Sequence, residues 1–242
     1  MSGAVAVGVI GAYGRMGVAV CAAVEAADDL ELAARVGRQE SLEALSGAAV
    51  AVEFSTPESV KANVLQSLAL GLDVVVGATG LGETDLKEIE ATAAAAGRRV
   101  LVAPNFAVGA VLMMRFAAAA APHFDTIEVV ERHHERKLDA PSGTALRTAA
   151  LIDEARSQIP ELGEEARARG QVVGGVRIHS LRLPGSVAHQ EVLLGGPGQT
   201  LTIRHDSIDR TSFMPGVLLA IRRVGGLSEP LTVGLEHLLE LG

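Results

Sequence analysis

The first hundred or so residues alternate between short apolar runs and longer stretches with helical spacing. AVAVGVI (4–10) reads as a strand, a glycine turn follows, and an alanine-rich helical stretch covers roughly 15–27. LELAARV (30–36), VAVEF (50–54), DVVVGATG (73–80) and RRVLVAP (98–104) read as further strands. Helical segments stand between them, PESVKANVLQSLALG after VAVEF and residues 83–96 after DVVVGATG. This alternation predicts an α/β fold with a parallel sheet covered by helices.

The pattern changes after residue 105. It predicts a helix over 108–121, a strand over 126–131 and a helix over 143–158. PELGEEARARGQ (160–171) is polar and reads as an exposed loop, or a helix with a loop. VRIHSLRL (176–183), SVAHQEVLL (186–194) and TLTIRHD (200–206) then come without intervening helices, which predicts antiparallel or mixed pairing and a second unit of α+β type. PGVLLAIRRV, after Phe213, is helical again.

Composition narrows the class. Hydrophobic residues make up 48% of the 242 positions and aromatics only 2%, so the core must be built from Ala, Val, Leu and Ile. A pI near 5.4 and a net charge of -8 argue against general nucleic-acid binding, which needs a basic surface. The lone Cys21 can form no internal disulfide and lies in an apolar helical stretch, where burial is expected. The N-terminal run lacks a basic flank and is broken by glycines, and no segment reaches the roughly 18 uninterrupted apolar residues of a membrane span. A cytoplasmic location is the expectation.

Two stretches carry chemistry. VGVIGAYGRMG places Gly11, Gly14 and Gly17 between the first strand and the first helix, where small residues let the backbone approach a pyrophosphate at the helix start. A usual NAD fingerprint places a carboxylate about 20 residues on, against the ribose. Here the second strand ends in ARVGRQ, with Arg35 and Arg38 around Gly37. An arginine suits a 2′-phosphate, which points to NADPH.

The second stretch is ERHHERKLDAPSGTALR (131–147), where Arg132, His133, His134, Arg136 and Lys137 concentrate positive charge in an acidic chain. A surface charge run and a metal site are two readings, although adjacent histidines seldom face one ion together. An acid–base site for an anionic substrate is the third. The residues just downstream favour it: Ser142 as N-cap, with the amides near Gly143 and Thr144 at a helix start. Asp139 is expected to shape the turn.

EVVERHHERKLDAPSGTAL resembles the signature of the 4-hydroxy-tetrahydrodipicolinate reductase (dihydrodipicolinate reductase) family, and VGVIGAYGRMG, VEFSTPE, VVVGATGL, VAPNFAVGA and HDSIDRTSFMPGVLLAIR resemble family segments in the family's order. The resemblance implies a Rossmann-like cofactor domain (1–106 and 214–242) and a substrate-binding and oligomerisation domain (107–213) that mediates homotetramers. It implies His133 as catalytic proton donor and acceptor, Lys137 as second acid, and His134 as a substrate ligand. Gly143 and Thr144 would hold a substrate carboxylate. Gly11, Ala12, Tyr13, Gly14, Arg15 and Met16 would wrap the pyrophosphate. Gly77, Ala78 and Thr79, with Ala103, Pro104, Asn105 and Phe106, would line the nicotinamide site, and Phe54 would touch the cofactor. The chain departs from the family at Gly37, where an acidic residue is usual, at Ala78, where GATG replaces GTTG, and at Gln199, where Glu is common. NADPH or NADH, with NADPH favoured by Arg38, and a small dicarboxylate are therefore the expected ligands. A reductase of another cyclic imine or keto acid, or a non-enzymatic dinucleotide-binding sensor, are the alternatives.

Overall fold

A computed structural model describes residues 3–156 and 167–239. The chain divides into two compact units, residues 1–106 with 213–242, and residues 107–212.

The first unit starts with β1 (Val5–Ile10), α1 (Arg15–Glu25), β2 (Leu30–Val36), β3 (Val50–Glu53), α2 (Val60–Ala69), β4 (Asp73–Val76), α3 (Glu83–Ala96) and β5 (Val100–Val102). Val74, Val75 and Val76 are fully buried, as a strand covered on both faces requires. A short 3-10 turn over Leu42–Gly47, rather than a full helix, joins β2 to β3, and it buries Leu42 and Leu45. DVVVGATG leaves the sheet at Val76, because the Gly77 and Ala78 amides both turn onto the Glu53 carbonyl.

The second unit contains α4 (Val108–Ala120), β6 (Thr126–His133), α5 (Gly143–Ala155), β7 (Gln171–Val173), β8 (Val176–Arg182), β9 (Ala188–Gly196) and β10 (Gln199–Ser207). Its sheet runs β10-β9-β6-β8-β7. β6 and β8 are parallel and the other pairs antiparallel, so the sheet is mixed. Ile127 and Val129 on β6 are fully buried with their cross-strand neighbours Ile178 and Val192. Gln190, opposite Glu131, donates to Thr148 on α5, which marks this face as the one that carries the helices. Gly109 at the start of α4 lets His205 of β10 approach, since a Cβ there would lie 2.6 Å from the imidazole.

Two expectations shift in this unit. β6 runs on to His133, two residues beyond the predicted end, because the His133 carbonyl still accepts from Leu183 N–H at 2.9 Å. Gln171, expected to close a polar loop, opens β7 instead; residues 160–166 of that stretch lie outside the described residues.

The chain then returns to the first unit with α6 (Met214–Arg223) and β11 (Leu231–Val233). β11 adds to β5 in parallel, giving the order β11-β5-β4-β3-β1-β2 with every neighbour parallel. The order reverses around β1, between β2 and β3, and ligands of open α/β sheets bind at the carboxyl ends of strands at such a switch point. Among the described residues no helix is long and apolar enough to cross a membrane.

Candidate active site

The strand ends at the switch point enclose a cavity of about 640 Å³, lined in part by Gly11, Tyr13, Gly14, Arg38, Glu40 and Phe54. The three glycines of the first turn do different work. Gly11 turns the chain with φ 77°, and the Gly11 and Ala12 amides donate to the Val36 carbonyl at the end of β2. Gly14 is the N-cap of α1 and offers no side chain to cap it, so the exposed first turn presents backbone rather than side chain to the cavity. Gly17 packs α1 onto the turn: a Cβ there would stand 2.1 Å from the Gly11 carbonyl oxygen. This is a cradle into which a dinucleotide pyrophosphate fits. Tyr13 and Arg15 are exposed beside it, Met16 is half-buried, and Ala12 is buried.

The next strand ends supply an aromatic corner. Phe54 follows β3, and its ring meets Phe106 with centroids 5.7 Å apart and planes at 52°. Gly77 after β4 leaves room for both rings, because a Cβ there would fall 2.2 Å from Phe54 and 2.9 Å from Phe106. Ala103 is tied to the Val76 carbonyl, Ala78, Asn105 and the Gly77 backbone are half-buried, and Thr79 and Pro104 are exposed.

Sequence reasoning missed two carboxylates here. Glu53 is fully buried at the end of β3 and accepts from the Ser55 N–H at 2.6 Å and from Asn63 at 3.0 Å, shaping the cavity wall. Burial pushes its carboxyl above the ordinary range. Glu40 folds back so that its carboxylate accepts the Gly37 N–H at 2.7 Å. A Cβ on Gly37 would lie 2.6 Å from the Tyr13 ring and 2.7 Å from that carboxylate oxygen. The cavity beside Gly37 therefore does hold a carboxylate, although none stands in ARVGRQ itself. It comes from three residues further on. The two arginines also separate: Arg38 lines the cavity, whereas Arg35 is paired with Glu25 of α1 at 2.6 Å and does not.

In the second unit the charged motif divides between strand and loop. Alternation along β6 turns Glu131 and His133 to the helix-bearing face and Arg132 to the other. The His133 Nδ1 lies 2.6 Å from Glu131 Oε2. Arg182 of β8 grips the same carboxylate with both terminal nitrogens, at 3.0 and 2.9 Å, and the Ser142 N–H donates to it at 3.2 Å. Burial alone would raise the Glu131 carboxyl, but hydrogen bonds from His133, Arg182 and Ser180 outweigh it and hold it down at about 2. Lys137 Nζ pairs with Asp139 at 2.8 Å, so Asp139 holds the ammonium as well as shaping the turn. His134 is exposed. Arg136 is exposed and 3.8 Å from Glu135, a solvent-facing pair. Ser142 caps α5 by accepting from Ala145 N–H, and the space over Gly143 at the first position is open, since a Cβ there meets nothing within 4 Å. Thr144 comes next, half-buried.

Two family models match this chain, "Dihydrodipicolinate reductase, N-terminus" over residues 5–106 and "Dihydrodipicolinate reductase, C-terminus" over residues 109–239. The chain belongs to the dihydrodipicolinate reductase family. Among the similar relatives, a 4-hydroxy-tetrahydrodipicolinate reductase of Nocardia farcinica is 53% identical over 97% of this chain and 98% of its own. One of Streptomyces coelicolor is equally similar, at 53% with the same coverage. A solved dipicolinate-bound dihydrodipicolinate reductase from Paenisporosarcina sp. TG-14 superposes with a TM-score of 0.87 at 37% identity, covering 98% of this chain and all of that one. Membership makes the chain an oxidoreductase that uses NAD(P)H, and the cradle around Gly11, Gly14 and Gly17 fits that requirement. The family resemblance carried by HHERKLDAPSGTA thus extends across both units. Glu131 and Arg182, however, were not singled out from the sequence: Glu131 is the first letter of the motif and looks like one more charge, and Arg182 is 51 residues away.

Proposed function

We propose that this chain reduces 4-hydroxy-tetrahydrodipicolinate to tetrahydrodipicolinate in diaminopimelate and lysine biosynthesis, as a cytoplasmic homotetramer. The observation that carries the reading is the His133 imidazole fixed at the end of β6, with Lys137 held by Asp139 on the adjoining turn and an open helix start at Gly143. Residues 11–16, Arg38, Phe54, 77–79 and 103–106 would hold NAD(P)H, which when bound would supply the hydride that adds at C4 of the dehydrated, conjugated ring. His133 returns the proton that balances this hydride, with Lys137 as second acid. His134, Gly143 and Thr144 bind substrate carboxylate, and the positive groups around it stabilise developing negative charge. The dipicolinate bound to the Paenisporosarcina protein supports a dicarboxylate ligand.

Cofactor choice rests on two neighbouring groups. Arg38 suits a 2′-phosphate and Glu40 suits a ribose hydroxyl, so both NADPH and NADH are accepted. The tetramer reading comes from the family resemblance, and the face of the second sheet that turns away from the helices, where Leu181 and Leu193 are 44% and 37% exposed, offers a surface for it.

The deciding experiment measures absorbance at 340 nm with substrate generated in a coupled assay and each cofactor in turn. Substrate-dependent oxidation of either cofactor supports the proposal. A flat trace with both would refute it in favour of a dinucleotide-binding sensor. His133→Ala should lower turnover about 10²–10⁴-fold, while His134→Ala should act more on substrate binding.

A further inference from the structure

Glu131 takes no chemical step in the proposed reaction, yet a large part of the second unit's polar structure is built around it. Its side chain is fully buried. Oε1 accepts from Arg182 Nη2 and from the Ser142 N–H, and Oε2 accepts from Arg182 Nη1 and lies 2.6 Å from His133 Nδ1.

Arg182 commits its whole donor set here. Nε donates to the Lys137 carbonyl, Nη1 also donates to the Leu181 carbonyl, and Nη2 also donates to the Asp139 carbonyl. With the two bonds to Glu131, all five N–H donors of the guanidinium are used. One planar group therefore fixes the carboxylate that meets His133 and the backbone on both sides of Leu138, the turn that carries Lys137. A lysine has no fork with which to do this.

A carboxylate this well supplied with donors is ionised across the neutral range and can only accept. The ring nitrogen facing it must then carry a proton. We propose that Glu131, clamped by Arg182, is the positioning residue that keeps a proton on His133 Nδ1 and so makes Nε2 the atom that delivers and recovers the catalytic proton. This rests on the assignment of His133 as proton donor. In the donating state both nitrogens are protonated; Nε2 gives its proton to the ring carbon, and Nδ1–H stays with Glu131. Without the carboxylate the ring can reverse its tautomer.

The glutamine variant separates the two tautomers. In Glu131→Gln, the oxygen belongs at the Oε1 place, where Arg182 Nη2 and the Ser142 N–H are both fixed donors; the NH₂ then takes the Oε2 place, gives up the Arg182 Nη1 bond and faces Nδ1, the one neighbour that can turn acceptor. Nδ1 becomes an acceptor and the neutral ring is locked as Nε2–H. The tautomer is read by ¹⁵N NMR of the imidazoles, with His133 assigned by the signal lost in His133→Asn. The wild type should show neutral His133 as Nδ1–H, and Glu131→Gln should show Nε2–H. In the same variant kcat should fall about 10²–10⁴-fold, with KM for substrate and the Kd for NADH little changed.

An Nε2–H tautomer in the wild type overturns the proposal even if Glu131→Gln does not fold. So does full turnover in a folded Glu131→Gln. Retained turnover in His133→Ala sinks the proton-donor assignment itself, whereas loss there with full turnover in Glu131→Gln sinks only the positioning role.

Discussion

At the residue scale, the end of β2 shows how a position-by-position reading can miss a group that space supplies. Gly37 stands where the family usually has an acidic residue, and a side chain there would strike both Tyr13 and Glu40. Glu40 brings its carboxylate to that place from the loop, and a search at one fixed offset could not find it. Arg38 was legible because it is adjacent in sequence. Each group makes a separable prediction. Arg38→Ala should weaken NADPH binding about 10- to 100-fold, the worth of charge-assisted hydrogen bonds, and leave NADH almost untouched. Glu40→Gln should do the opposite, weakening NADH more than NADPH. Fluorescence titration of both cofactors against both variants checks this; equal losses for the two cofactors in either variant would refute the division of labour.

At the element scale, the kind and order of the elements between residues 4 and 104 were legible, because buried parallel strands and amphipathic helices have unlike periods, although PESVKANVLQSLALG shortens to Val60–Ala69 and RRVLVAP to Val100–Val102. LELAARV and the helix over 83–96 end where the pattern ends. The site in the second unit was legible only in part. The motif reads as one basic loop, but β6 runs into its first three residues, and the two-residue period of a strand sends Glu131 and His133 to one face and Arg132 to the other. That extension depends on pairing with β8, about 50 residues downstream, which no local pattern contains. The glycine turn makes an element-scale prediction: Gly17→Val should destabilise the first unit by about 1–3 kcal/mol, because even a Cβ strikes the Gly11 carbonyl. Denaturant unfolding would show it, and an unchanged midpoint would refute the packing role.

The β6–β8 clamp also makes a pH prediction. Glu131 is held down at about 2, below its ordinary 4.5, so its contribution to stability is fully present above about pH 4.5 and is lost as pH falls towards 2. The wild type should therefore melt higher than Glu131→Gln at neutral pH, with the gap closing between about pH 4.5 and 2. A gap that stays constant over that range would mean that Glu131 is not ionised in the clamp.

At the scale of the whole molecule, the chain leaves the first unit after Phe106 and comes back to it at Phe213. The helical pattern of α6 was readable, but its destination was not. β11 has three residues, too few to show a period, and its place is set by contacts made far along the chain. Arg99 donates to the Leu227 carbonyl, Val100 N–H donates to the Pro230 carbonyl, and Leu235 is buried beyond the strand. Arg222 on α6 pairs with Asp29 before β2, so the returning segment is also tied to the opposite side of the sheet. Ending the chain after Gly226 removes β11, leaves β5 as an unpaired edge and strips Arg99 Nε of its acceptor. Leu235 alone is worth about 1.5–3 kcal/mol of burial, and each kcal/mol lowers the unfolding temperature by about 2–8 °C. The truncated chain should melt roughly 3–24 °C lower and bind NADH and NADPH more weakly together, since the sheet that aligns Gly77 and Ala103 loses its outer strand. Calorimetry and cofactor titration on the same sample check this. Full cofactor affinity in the truncated chain would show that the cradle at the switch point stands on β1 to β5 alone.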